Sequence, residues 1–181
     1  MGKLVLAAKV THVPSMYLSE MPGKHHGCRE AAINGHRIIA ERARALNVDT
    51  VVVFDVHWLV NSGYHINCHD RFQGIYTSNE LPHFIKDMEF SYEGNPALGR
   101  AIAESANRRG VKTRAHEIKS LELEYGTLVP MRYMNQDKRF KVVSVAAWCP
   151  WHDLDDSRLF GEAVLEAIEQ SDSNVMVLAS G

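Results

Sequence analysis

Cysteine is scarce in this chain: Cys28, Cys68 and Cys149 are the only three, far apart, with no CxxC pair. An odd, scattered set excludes a disulfide framework and a cysteine zinc site, and reduced thiols in a cytoplasmic protein are the expectation. No apolar run approaches the ~20 residues of a membrane span. Lys9, Thr11 and His12 interrupt the apolar start before it reaches the length of a secretion signal, and Leu6 stands where a myristoylation signal needs Ser or Thr. Charge of one sign is missing as well. The net charge is −2, with mixed stretches such as Glu41-Arg42-Ala43-Arg44, so nothing electrostatic argues for nucleic acid or a membrane surface. Neither GxGxxG nor GxxxxGKS/T occurs, which removes the common phosphate-cradling loops, and no GxSxG elbow points to an α/β-hydrolase.

What is present reads as alternating strands and helices. Leu4 to Val10, Val51 to Val56, Phe140 to Ala147 and Asn174 to Ala179 are short runs rich in β-branched and apolar residues. Between the first two lies a Pro/Gly-punctuated loop from Val13 to Gly27, then a helix from Arg29 to Leu46 with Ala32, Ile39, Ala43 and Leu46 on one face. Tyr64 to Cys68 alternates like a strand and leads into a polar, aromatic-rich excursion. Asn95 as N-cap, Pro96 at the first turn and Gly110 as stop mark another helix, with a short strand expected over Val111 to Ala115. A last helix is expected to open near Asp156-Ser157, with Phe160, Ala163, Val164, Ala167 and Ile168 in register. The expectation is one α/β domain over residues 1–181. It has three layers, a mostly parallel central sheet and helices on both faces. The chain stops on a strand, so it reads as truncated at the C-terminus, with apolar surface at Leu178 that the absent segment would cover, a liability for aggregation unless another chain covers it; a homo-oligomer is expected.

Histidine is the abundant functional residue, with 10 copies. Two of them share an address: His12 and His57 each follow a strand-like run, and carboxyl ends of parallel strands line the ligand crevice in open α/β sheets. Two imidazoles there suit a metal site or a His-based acid–base pair; capping of a backbone carbonyl is the bland alternative. Asp55 shares the strand face of His57 and could accept a hydrogen bond from its ring. The i, i+4 pair His65/His69 lies in a β-like segment, which separates the rings by more than ~13 Å. His25-His26 sits on a loop, His36 inside a helix, and His152-Asp153 is a dyad of little specificity. No partner is assigned to His83 or His116. Tyr125 could donate a hydrogen bond to a substrate oxygen or serve as an aromatic with a wet hydroxyl.

Four segments go further: Thr11-His12-Val13-Pro14-Ser15-Met16, Phe54-Asp55-Val56-His57-Trp58, Thr77-Ser78-Asn79-Glu80-Leu81-Pro82-His83-Phe84, and Glu124-Tyr125-Gly126-Thr127-Leu128-Val129-Pro130-Met131-Arg132-Tyr133-Met134. Together they resemble a class III extradiol ring-cleavage dioxygenase, nearest to the members that open 3,4-dihydroxyphenylacetate in aromatic hydrocarbon catabolism. The resemblance covers all 181 residues. It implies His12 and His57 as two ligands of a non-haem Fe(II) (Mn or Mg in its place is also open), with a catechol and O2 as partners and a hydroxymuconic semialdehyde as product. It also implies that a third ligand, a Glu, and a catalytic His base lie beyond Gly181, so the chain alone is expected to be inactive. Many relatives carry Asp-His-Gly where this chain has Glu124-Tyr125-Gly126, which makes Tyr125 the candidate for the acid role of that histidine. A basic residue such as Arg132 would suit an acetate substituent. Two other readings stand beside this one. They are a two-His zinc hydrolase on a similar scaffold, and a non-catalytic metal- or catechol-binding remnant or split-enzyme subunit.

Overall fold

The computed structural model describes residues 1–146 and 153–181. Cys149 and His152 lie outside them. Six strands form the main sheet in the order β1 (Lys3–Val10), β8 (Asn174–Ser180), β2 (Thr50–Asp55), β7 (Lys141–Ala146), β3 (Tyr64–Asn67) and β6 (Thr113–His116). All neighbours run parallel except the β3–β7 pair, which is antiparallel. The sheet is therefore mostly parallel, as its apolar runs predict: parallel strands covered on both faces read as continuous Val/Ile/Leu stretches.

Side-chain alternation divides the core into two layers. Val51, Val53, Val142, Met176 and Leu178 face α2 (Glu30–Ala45) and α4 (Tyr125–Met134). Val52, Val143, Val145 and Val175 face α3 (Pro96–Arg108) and α5 (Leu154–Gln170). The α3 signals act as read: the Asn95 side chain accepts from the Leu98 amide at 3.2 Å, and Gly110 takes φ +78°.

Four expectations change. The uncovered apolar surface at Leu178 is not found. The last strand lies inside the sheet, bonded to β1 on one side and β2 on the other, and Val175, Met176 and Leu178 are fully buried. The final helix opens at Leu154 rather than Asp156, because Asp153 Oδ1 caps it by accepting from the Asp156 amide at 2.6 Å. That cap employs the acid of the His152-Asp153 dyad. The long first loop carries a short helix, α1 (Ser15–Glu20). The aromatic excursion is an antiparallel pair, β4 (Arg71–Tyr76) and β5 (Met88–Glu93), whose Phe72, Tyr76, Met88, Phe90 and Tyr92 join the α2/α4 layer of the core.

Register decides where the site falls. Ser180 pairs with Val10 on one side and Asp55 on the other, and Asp55 pairs with Ala146. The carboxyl ends of β1, β8, β2 and β7 thus stand level, with His12 and His57 each two residues beyond that line.

Candidate functional site

The level strand ends bring the two histidines together. The His12 and His57 ring centroids are 4.8 Å apart with planes at 86°. The Tyr125 ring, at the first position of α4, lies 5.6 Å from His12 and 4.0 Å from His57. The strand-end address picked out the two histidines, and Tyr125, a candidate from the resemblance, meets them at the same point, though β8 intervenes between the two histidine-bearing strands.

A buried polar network supports them. His12 Nδ1 is 2.9 Å from Ser180 Oγ, and that hydroxyl donates to the Gly126 carbonyl at 2.5 Å. Asp55 is fully buried; its Oδ1 accepts from the His57 backbone amide at 2.8 Å and its Oδ2 from the Thr127 hydroxyl at 2.7 Å. Thr127 Oγ1 in turn lies 3.0 Å from Ser144 Oγ on β7. Asp55 thus grips the main chain of His57 rather than its imidazole, a correction to the sequence expectation. The reason is local: β2 ends at Asp55, and the chain bends before His57, so the two side chains no longer share a strand face. Gly126 makes this grip possible. A Cβ there would stand 2.7 Å from the Asp55 carboxyl carbon, well inside contact distance.

The electrostatics favour a neutral His12 ring. Burial, with a smaller contribution from neighbouring His57, lowers the His12 pKa to about 4, so its imidazole keeps a free lone pair at neutral pH. Burial pushes the Asp55 carboxyl up, while the Thr127 hydroxyl and the His57 amide oppose that rise. Glu80 is the residue that sequence reasoning left inside a motif without a role. Its Oε2 accepts from the Tyr125 hydroxyl at 3.3 Å and stands 3.6 Å from His57 Nδ1. Burial first, then the Glu80 carboxylate, raises the Tyr125 phenol far above its ordinary value, so it stays a neutral donor. Immediately before Tyr125, at the N-cap of α4, Glu124 accepts from Tyr76 Oη at 2.9 Å, and burial raises its carboxyl.

These residues fit a metal ion in one respect. An imidazole nitrogen binds a divalent metal at ~2.0–2.1 Å, which places the ring centre ~3.2 Å from the ion. Two such rings subtending 90–110° at the ion stand roughly 4.5–5.3 Å apart, and the observed 4.8 Å falls inside that span. Among the described residues, no cluster of three or more His, Cys, Asp or Glu side chains is placed to hold a metal.

The remaining candidates are elsewhere. His65 and His116, on adjacent strands β3 and β6, share a 2.7 Å Nδ1–Nε2 hydrogen bond beside Trp58, which gives His116 a partner that spacing did not reveal. His69 packs on Phe72, and His36 Nδ1 is 2.8 Å from the Ala32 carbonyl. His25 and His83 line a surface groove with Ser15, Leu18, Cys28 and Arg29. Arg132 is not free to meet an acetate group. Its guanidinium makes three contacts of 2.6–3.0 Å with the Glu20 carboxylate and lies over the Tyr17 ring.

Comparison with known proteins gives three results. Residues 6–181 match the family described as the catalytic LigB subunit of aromatic ring-opening dioxygenase. Over 181 residues the chain is 66% identical to the 3,4-dihydroxyphenylacetate 2,3-dioxygenase of Escherichia coli, covering 100% of this chain and 66% of that protein. The chain thus spans just under two thirds of that relative's length. The crystal structure of an uncharacterized protein from Escherichia coli K12 is similar in fold, with a TM-score of 0.58 at 14% identity, over 83% of this chain and 52% of that one.

Proposed function

Because this chain belongs to the family of catalytic LigB subunits of aromatic ring-opening dioxygenases, we propose that its crevice serves extradiol cleavage of a catechol by O2. The substrate proposed is 3,4-dihydroxyphenylacetate, from the name of the 66% identical relative, and the product is a hydroxymuconic semialdehyde. The observation that carries this reading is the meeting of His12, His57 and Tyr125 at the level ends of β1 and β2.

In this reading His12 and His57 are the two imidazole ligands of an Fe(II) ion. That ion, when bound, supplies the electron path between catechol and O2 that a redox-inert zinc could not. The chain's own contributions follow from its contacts. His12 enters metal binding already neutral, so no proton has to leave first. Asp55 and Ser180 anchor the two histidines from the strand ends, which fixes their separation. Tyr125 presents a neutral phenol beside both rings and gives its hydrogen bond to Glu80; on substrate binding it is the group placed to donate to a substrate oxygen. No helix among the described residues is long and apolar enough to cross a membrane.

The test is calorimetric titration of the chain with Fe(II) under nitrogen, alongside aerobic incubation with Fe(II) and 3,4-dihydroxyphenylacetate, where a yellow semialdehyde absorbance would overturn the expectation that the chain is inactive alone. One Fe(II) bound per chain, with binding lost in His12→Ala and in His57→Ala, is the expected result. Unchanged Fe(II) binding in the double variant would refute the site. Oxygen-independent turnover of an ester or amide with Zn²⁺ would replace the reading by a hydrolase.

A further inference from the structure

We infer that Ser180 is a positioning residue that locks His12 in the tautomer with its proton on Nδ1 and its lone pair on Nε2. The argument is a count of protons. A serine hydroxyl has one proton and two lone pairs. Ser180 Oγ stands 2.5 Å from the Gly126 carbonyl, which can only accept, so the hydroxyl proton is committed there. The 2.9 Å contact between Ser180 Oγ and His12 Nδ1 then holds a proton only if Nδ1 carries it. The opposite tautomer would set two lone pairs face to face. With His12 and Ser180 only 6% and 3% exposed, the contact is shielded from bulk solvent, and an unmet buried polar contact biases such an equilibrium roughly 10- to 100-fold.

The backbone makes the arrangement rigid. Val10 and Ser180 are paired in the β1–β8 ladder, and the Gly181 amide donates to the Val10 carbonyl at 3.0 Å. A residue 168 positions away in sequence is thereby fixed against His12. Among the described residues His12 Nε2 has no hydrogen-bond partner, so the nitrogen that keeps its lone pair is the one left uncommitted. Orienting partners on the far ring nitrogen are the usual means by which a metal-binding histidine is held in one tautomer. The consequence for metal binding rests on the function proposed above; the tautomer itself does not.

The experiment uses the ¹⁵N-histidine-labelled chain without metal at pH 7.5. Long-range ¹H–¹⁵N correlation spectra are recorded, His12 is assigned by its absence in His12→Gln, and Co²⁺ is then titrated calorimetrically. The wild type should show His12 protonated on Nδ1. Ser180→Ala should move the spectrum toward the Nε2–H form and weaken Co²⁺ about 10- to 100-fold. Ser180→Thr, which keeps the hydroxyl, should restore both. A wild-type His12 protonated on Nε2, or a folded Ser180→Ala chain that retains the Nδ1–H signature, would overturn the inference. If Ser180→Ala does not fold, the wild-type and Ser180→Thr spectra decide. An Nδ1–H His12 in a chain that binds no Co²⁺ would uphold the tautomer and defeat the metal reading.

Discussion

Gly126→Ala should destabilise this protein, although the same change within a helix ordinarily stabilises it. Gly126 is the second residue of α4, where alanine gains up to ~1 kcal/mol in helix propensity. The added Cβ, however, would stand 2.7 Å from the Asp55 carboxyl carbon and 3.0 Å from Oδ2. The carboxylate, whose Oδ1 is the atom nearest that Cβ, must retreat by roughly 1 Å to reach ordinary contact, which stretches its 2.8 and 2.7 Å bonds to the His57 amide and Thr127 hydroxyl past hydrogen-bond range. Each bond to such a group is worth about 1.5–3 kcal/mol, so the net loss after the helix gain is about 2–5 kcal/mol. For a chain of this size that lowers Tm by about 5–15 °C. The assay is thermal unfolding followed by circular dichroism, with Gly35→Ala in α2 as the control. A Cβ at Gly35 meets nothing within 4 Å, so that variant should be stabilised by about 0.5–1 kcal/mol. A Gly126→Ala chain as stable as the wild type, or more so, would refute the role given to Asp55.

Stability of the metal-free chain should fall with acid in a window set by His12. Its folded pKa of about 4 lies below the ordinary 6.5, so the unfolded chain takes up the proton first. The contribution is therefore complete above pH 6.5 and lost as pH falls toward 4. The full amount is about 3 kcal/mol, and urea titrations at several pH values should show a shallower acid slope in His12→Gln. Asn95→Ala removes the α3 cap and the bonds from Asn95 Nδ2 to Thr50 and Ser173. A loss of about 1–2 kcal/mol in urea unfolding is expected. Arg132→Ala breaks a partly buried pair with Glu20 and should lower stability by about 1–3 kcal/mol. Because that arginine is already engaged, equilibrium dialysis should find binding of 3,4-dihydroxyphenylacetate no weaker relative to plain catechol than in the wild type.

How much of this was legible depends on how far apart the participating residues lie. The Val-rich runs of β2, β7 and β8 and the Asn95-Pro96 helix start are local signals, and each formed where its residues predict. The β4–β5 pair was legible too. Met88-Glu89-Phe90-Ser91-Tyr92-Glu93 alternates with period two and buries Met88, Phe90 and Tyr92, but the surrounding polar and aromatic residues obscured it. The final helix start was misplaced because Asp153, Asp155 and Asp156 all resemble caps and only one accepts the bond.

His12 and His57 could be paired from sequence alone because strand ends of a parallel sheet converge, and that rule needs only local periodicity. Their neighbours could not. Ser180 reaches His12 across 168 positions, Thr127 reaches Asp55 across 72, and Glu80 reaches Tyr125 across 45. Nothing local encodes that β8 enters between β1 and β2. Strand order is set by how the helices and loops pack together, a many-body outcome of burial. The sequence by itself therefore determined the strands of the main sheet, the helices α2, α3 and α5, the family resemblance and the two imidazoles. The tertiary structure alone decided what holds them: which nitrogen of His12 is occupied, which atoms of His57 are gripped, and why residue 126 is glycine.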